Sequence, residues 1–182
     1  MRFAFFIFAI TSCLSLYSQE SADQLIAKYT LFLSSNPDSL SGYLQRSKAY
    51  LDKGDLTSSM ADVNKALKLS PANIEALRRR GAIFFNLHKY DEAVADFTTV
   101  ITKDPKDSRA FYWRGKSYFW QDKLQKAIED MTESLKINPT ESSVWADRGD
   151  TYYWMQKYDL AAGDLSQAIT LDPKGLPSSP TR

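Results

Sequence analysis

The chain has almost none of the side chains from which reactive centres are usually built. Its 182 residues include one cysteine, Cys13, and one histidine, His88. A single thiol can form neither an internal disulfide nor a thiolate metal cluster. The single imidazole sits in NLHKYDEA, which reads as a turn between two helices, with no motif around it for a Ser-His-Asp or Cys-His site. These shortages argue against an enzyme, and no metal or cofactor is expected. An excess of one charge sign is also lacking: 23 Lys and Arg face 22 Asp and Glu, a net +1. No global field therefore favours nucleic acid or an anionic membrane surface. Arg78-Arg79-Arg80 is the one basic cluster, and a solvated helix face explains it. A long apolar run is missing as well, since a spanning helix needs about 20 apolar residues and the run from Phe3 to Ile10 is soon interrupted by Thr11, Ser12, Ser15 and Ser18.

That short run has a different meaning. MRFAFFIFAITSCLSLYSQE carries one positive charge at Arg2, then the apolar stretch, then small and polar residues, which is the layout of a secretory signal peptide over residues 1–18. Cleavage is expected at Ser18-Gln19, because SLYS before Gln resembles export signals of some Gram-negative bacteria. The alternative is lipidation at Cys13, since ITSC resembles a bacterial lipobox. The expected location is thus outside the cytoplasm, periplasmic or secreted, or membrane-anchored if Cys13 carries lipid.

Proline is scarce but evenly placed. Pro37, Pro71, Pro105, Pro139 and Pro173 are each separated by 34 residues, a spacing that marks a repeat protein. Aligned on these prolines, Tyr43, Leu77, Phe111 and Trp145 share one column, Gly81, Gly115 and Gly149 a second, and Tyr50, Phe84, Tyr118 and Tyr152 a third. Ala93, Ala127 and Ala161 follow, then Val63, Phe97, Met131 and Leu165. Large apolar residues three or four apart with a glycine between them predict a helix that lets a second helix, with its own alanine at the contact, approach closely. Proline ends that second helix, lacking an amide donor and restricting the residue before it. One such hairpin cannot bury its apolar face alone, so successive hairpins stack.

In these columns the chain resembles the tetratricopeptide repeat (TPR) family, with its aromatic, Leu-Gly, Tyr, Ala, Phe and Pro at set offsets. The resemblance implies an all-α fold, a right-handed solenoid of helical hairpins. Four repeats are expected, at 40–73, 74–107, 108–141 and 142–175, preceded by an N-terminal capping helix within residues 20–36. Residues 174–182, KGLPSSPTR, read as a disordered tail. The chain departs from the family where Leu usually precedes the glycine: it has Arg46, Arg80, Arg114 and Arg148 instead, and sixteen residues after each stand Asp62, Asp96, Asp130 and Asp164. A row of arginines could bind an anionic ligand. Because each is matched by an acid, an ion pair joining the two helices of each hairpin is the favoured reading.

In this family the first helices of successive repeats line the concave face. The stretch RAFYWRGKSYFW then presents Arg109, Tyr112, Trp113, Lys116 and Trp120 to a groove. The same positions in neighbouring repeats add Arg78, Arg79 and Phe85 on one side, and Asp147, Asp150, Tyr153 and Trp154 on the other. Tyr and Trp offer rigid contact area at small entropic cost. The resemblance therefore implies a scaffold or adaptor that binds a protein or peptide segment. The alternatives are an envelope lipoprotein or assembly factor acting through oligomerisation, and a glycan-binding module. A chaperone-tail adaptor is disfavoured, because the positions that would clamp a terminal carboxylate include Leu44, Lys48, Arg79, Arg109 and Trp113. Finally, Leu67, Ile101 and Leu135 should be covered by the following repeat, whereas Ile169 and Leu171 have no such cover within the array. A homodimer through the C-terminal hairpin is therefore expected.

Overall fold

The structure, a computed structural model, describes residues 20–174. The expected signal peptide, Cys13 and residues 175–182 of the tail lie outside the described residues. Within them the chain forms nine helices and no strand: α1 (Ala22–Ser35), α2 (Leu40–Asp52), α3 (Leu56–Leu69), α4 (Ile74–Asn86), α5 (Tyr90–Lys103), α6 (Ser108–Trp120), α7 (Leu124–Ile137), α8 (Ser142–Trp154) and α9 (Tyr158–Leu171). The fold is an all-α solenoid, with pairs α2/α3, α4/α5, α6/α7 and α8/α9 packed as hairpins and α1 packed on α2.

Local chemistry sets these boundaries. Ser39, Asn73 and Asp107 cap α2, α4 and α6 by accepting from the amides of Gly42, Ala76 and Ala110. Within each hairpin one residue takes the left-handed conformation that turns the chain back: Gly54 (φ 81°), His88 (57°), Asp122 (64°) and Gln156 (59°). The lone histidine therefore serves a turn, where its exposed ring meets the Tyr90 hydroxyl at 2.8 Å. The glycine column reflects close approach: a Cβ on Gly81 would lie 2.9 Å from the Phe97 ring, and one on Gly115 would lie 3.2 Å from the Ala127 carbonyl oxygen. Around these contacts lies the core, with Val63, Phe97, Val100 and Ile83 sealed from solvent, each such aliphatic or aromatic side chain stabilising the fold by about 1.5–3 kcal/mol.

The second helix of each repeat packs on the first helix of the next, α3 on α4, α5 on α6 and α7 on α8. First helices also touch one another, α4 with α6 and α6 with α8, whereas the second helices make no comparable approach. The stack therefore curves with its first helices on the inside.

Candidate functional site: the inner face and the ties beneath it

Each of the four arginines reaches its paired acid. Nε donates to one carboxylate oxygen and Nη2 to the other, at 2.7 and 2.7 Å for Arg46–Asp62, 2.8 and 2.7 Å for Arg80–Asp96, 2.7 and 2.8 Å for Arg114–Asp130, and 2.7 and 2.9 Å for Arg148–Asp164. All four aspartates are buried. The acid's hydrogen bond raises the guanidinium pKa of Arg46, Arg80 and Arg114 further above its ordinary value. The third nitrogen does something the sequence reading missed. Nη1 of Arg46, Arg114 and Arg148 donates to Thr30, Thr98 and Thr132 on the preceding second helix, at 3.1, 3.1 and 3.0 Å. Each of these arginines thus ties its own hairpin to the one before. Aromatic rings flank the guanidinium: Tyr43 and Tyr50 at Arg46, Phe111 and Tyr118 at Arg114, Trp145 and Tyr152 at Arg148. Repeat two is the exception. Asn64 stands where the others have threonine, Leu77 replaces one ring, and the Arg80 side chain is 29% exposed against 13–18% for the rest. The threonines sit sixteen residues before their arginines, a spacing that could have been read alongside the Arg–Asp spacing.

The inner stripe is closed over repeat two and its seam with repeat three, and is exposed at Arg109 and at the end of repeat four. Arg79 is held by Glu75 through Nη2 and Nε at 2.7 and 3.0 Å. Arg78 pairs with the same Glu75 and, through Nε at 3.0 Å, with Asp107, the residue that caps α6. Phe85 and Trp113 meet edge to face at 5.1 Å and pack against the core cluster, so both are half-buried and part of the seam between repeats two and three. Trp120 stacks on Tyr90 with an interplanar angle of 7°. Tyr90 comes from the second helix and was not among the expected groove residues. Phe119 lies beneath the stripe, buried.

Between repeats three and four the polar groups converge on one acid. Asp147 accepts from the Tyr112 hydroxyl at 2.7 Å and from the Lys116 ammonium at 2.9 Å. The ammonium lies within 6.0 Å of three ring centroids, those of Phe85, Tyr112 and Trp113. Burial first, and then the Asp147 charge, push the Tyr112 phenol far above its ordinary pKa, so it remains a donor. Asp150, half-buried, has one carboxylate oxygen enclosed with no hydrogen bond; burial, followed by the Asp147 charge, raises its pKa.

What faces solvent is Arg109, which has no ion pair among the described residues, together with Tyr153 (60% exposed) and Trp154 (43%). Arg109 borders an open cleft of about 160 Å³ between repeats three and four, walled by Tyr112, Trp113 and Val144 and lined with the hydroxyls of Ser108, Ser134 and Ser143 opposite Glu141. Such a volume holds a side chain rather than a whole small ligand. Among the described residues, no three His, Cys, Asp or Glu side chains stand close enough to hold a metal, and no helix is long and apolar enough to cross a membrane.

Stacked hairpins whose first helices line an inner face define an α-helical repeat protein. Within that class the chain is built of tetratricopeptide repeats: models of the tetratricopeptide repeat match residues 40–73 and 78–142, together more than half of the chain. Among solved structures it is similar to MamA residues 41 to the end from Desulfovibrio magneticus RS-1, with a TM-score of 0.77 at 22% identity over 84% of this chain and 86% of that one. It is also similar to YrrB, described as a TPR protein with an unusual peptide-binding site, with a TM-score of 0.69 at 18% identity over 84% of this chain and 79% of that one. At these identities the likeness is one of fold. A curated relative, the Protein SGT1 homolog of Oryza sativa subsp. japonica, is 34% identical over 62 residues, which is 34% of this chain and 17% of the relative, so the match spans under a fifth of that protein's length.

Proposed function

We propose that the chain is an exported scaffold or adaptor that holds a protein or peptide segment along the inner faces of repeats three and four. The observation that carries this reading is the exposure along the inner face: Arg109 stands outward at an open cleft, and Tyr153 (60% exposed) and Trp154 (43%) face solvent at the far end of α8, whereas Arg78, Arg79, Phe85, Trp113 and Lys116 are partly buried. Exposed aromatics at one end of the face, with an unpaired guanidinium and a side-chain-sized cleft at the other, suit an extended peptide long enough to reach both. The peptide-binding site named for YrrB supports the same class of ligand. Export rests on residues 1–18, and Cys13 offers the lipid-anchored version of it.

The seam positions are poor probes of binding, because Trp113→Ala would remove a half-buried ring from the core. The test is capture of envelope proteins, followed by peptide titration, with Arg109→Ala and the double variant Tyr153→Ala/Trp154→Ala. Binding should weaken by about 2 kcal/mol in the double variant with helical content unchanged. Equal capture by all three proteins would remove the groove reading, and loss of tryptophan response to peptide with a retained response to soluble glycan would replace the ligand class.

A further inference from the structure

The junction between repeats two and three shows which kind of group the position of the open cleft can hold. There the Arg78 guanidinium lies between two acids, paired with Glu75 through Nη1 at 3.0 Å and with Asp107 through Nε at 3.0 Å, and the wall residue of that junction is the fully buried Val100. Thirty-four residues on, each member of the arrangement is different. Tyr112 stands in the place of Arg78 and sends its hydroxyl to Asp147 at 2.7 Å. Arg109 replaces Glu75 and reverses one charge, while Glu141 replaces Asp107 and keeps the other. Ser134 replaces Val100: only 2% exposed, it brings to the cleft wall a hydroxyl with no hydrogen bond among the described residues. Glu141 is also released from capping. Ser39, Asn73 and Asp107, in the same column, each accept from their own helix, whereas the Glu141 side chain makes no such bond to α8 and one of its oxygens accepts from Asn138 at 3.2 Å. The cleft is therefore walled by a cation, an acid that does not pair with it, and a buried hydroxyl.

We propose that this cleft takes the side-chain carboxamide of a glutamine or asparagine in the bound segment, its oxygen accepting from Arg109 and Ser134 and its amide nitrogen donating to Glu141. The inference rests on the peptide-binding reading and names the side chain that anchors the peptide. A carboxamide is neutral, with an acceptor oxygen on one side and two N–H donors on the other, which suits walls of opposite sign. A carboxylate would satisfy Arg109 but meet like charge in Glu141. An ammonium or guanidinium, the group that fits between Glu75 and Asp107, would satisfy Glu141 but meet like charge in Arg109. An aliphatic side chain would strip water from Arg109, Glu141 and Ser134 and give no hydrogen bond in return.

The probes are the N-acetyl methylamides of glutamine, asparagine, glutamate, lysine and methionine, titrated into the isotope-labelled chain while NMR follows the amides of Ser108, Ser143 and Val144 and the Trp113 indole. Fragments of this size bind with dissociation constants on the order of 1 mM. The glutamine or asparagine probe should bind at least about fivefold tighter than the other three. Two charge changes should redirect the preference: Glu141→Lys makes both walls cationic and should put glutamate first, whereas Arg109→Glu reproduces the acids around Arg78 and should put lysine first. Ser134→Val, which installs the side chain type of Val100, should weaken the carboxamide probes about threefold or more with helical content unchanged. Glutamate, lysine or methionine leading in the wild-type chain, no cleft shift with any probe up to about 20 mM, or an order unmoved by both charge changes overturns the proposal. A pool of random-sequence peptides separates it from the reading it rests on. If the pool shifts the Tyr153 and Trp154 signals while the carboxamide probes fail, the anchor is wrong and the peptide reading stands; if the carboxamide probes fill the cleft while the pool shifts nothing, the chemistry of the cleft stands and the peptide reading falls.

Discussion

Removing the Asp130 carboxylate tests how the hairpins are held together. Asp130→Ala deletes both acceptors of the Arg114 fork, at 2.7 and 2.8 Å, and leaves the guanidinium with Thr98 and the rings of Phe111 and Tyr118. Stranding one member of a fully buried pair costs about 3–5 kcal/mol. The Arg114 side chain keeps 17% of its exposure, so water can reach it, and about 2–3 kcal/mol is the expected loss. Asp96→Ala supplies the internal control. Arg80 lacks the threonine tie and one ring, and at 29% exposure is already better hydrated, so its loss should be about 1–2 kcal/mol. Replacing both Arg114 and Asp130 with leucine should recover most of the stability, since apolar packing can substitute for a buried pair. Urea unfolding followed by circular dichroism reads all three variants against wild type, with the m-value checked for loss of cooperativity between repeats. An Asp96→Ala cost equal to that of Asp130→Ala would refute the idea that threonine and rings contribute. A cost below about 0.5 kcal/mol at Asp130 would refute the tie altogether.

Two further predictions follow from local geometry. Gln156 occupies the left-handed turn position with φ 59°, so Gln156→Gly should raise stability by about 0.5–1 kcal/mol, while Gly54→Ala at the corresponding turn should lower it by a similar amount; thermal or urea unfolding reads both. Asp150 has a raised pKa in the folded chain, from burial and then from Asp147. It therefore binds protons more readily folded than unfolded, and its contribution to stability falls as pH rises from about 4, the ordinary aspartate value, through the raised one. The melting temperature of Asp150→Asn minus that of wild type should grow between pH 4 and 7, and a constant difference would remove this account of Asp150.

The periodic part of the molecule was legible because each column has one local cause. Proline at 34-residue spacing stops a helix wherever it occurs, and glycine facing Phe97 or the α7 backbone is demanded by a contact that recurs in three of the four hairpins. The inner face was harder to read, because its side chains choose among partners that sequence does not rank. Trp113 and Phe85 stand in the same stripe as Trp154, but they have a following repeat to pack against. Arg78 reads as an open cation until Asp107, 29 residues on, is seen both capping α6 and forming an ion pair with it. Tyr90, which stacks on Trp120, comes from a second helix, and a reading confined to first helices had no means of including it.

The same comparison indicates where function can be carried in a repeat array. A column identical in every repeat answers to packing, as with Arg46, Arg80, Arg114 and Arg148, each bound to its own aspartate. A column that changes from repeat to repeat is released from that duty: Ser41, Glu75, Arg109 and Ser143 share one position, and only Arg109 presents a cation to the cleft. Likewise Ser134, buried at the cleft wall, stands where the other repeats place Ala66, Val100 and Ala168. A hydroxyl there is unnecessary for stacking, because the two other junctions between repeats form without one. Both departures fall on one cleft between repeats three and four, on the face that also carries Tyr153 and Trp154 at the far end of α8. Specificity in this chain is therefore expected to reside in that junction, with repeats one and two serving to hold its curvature.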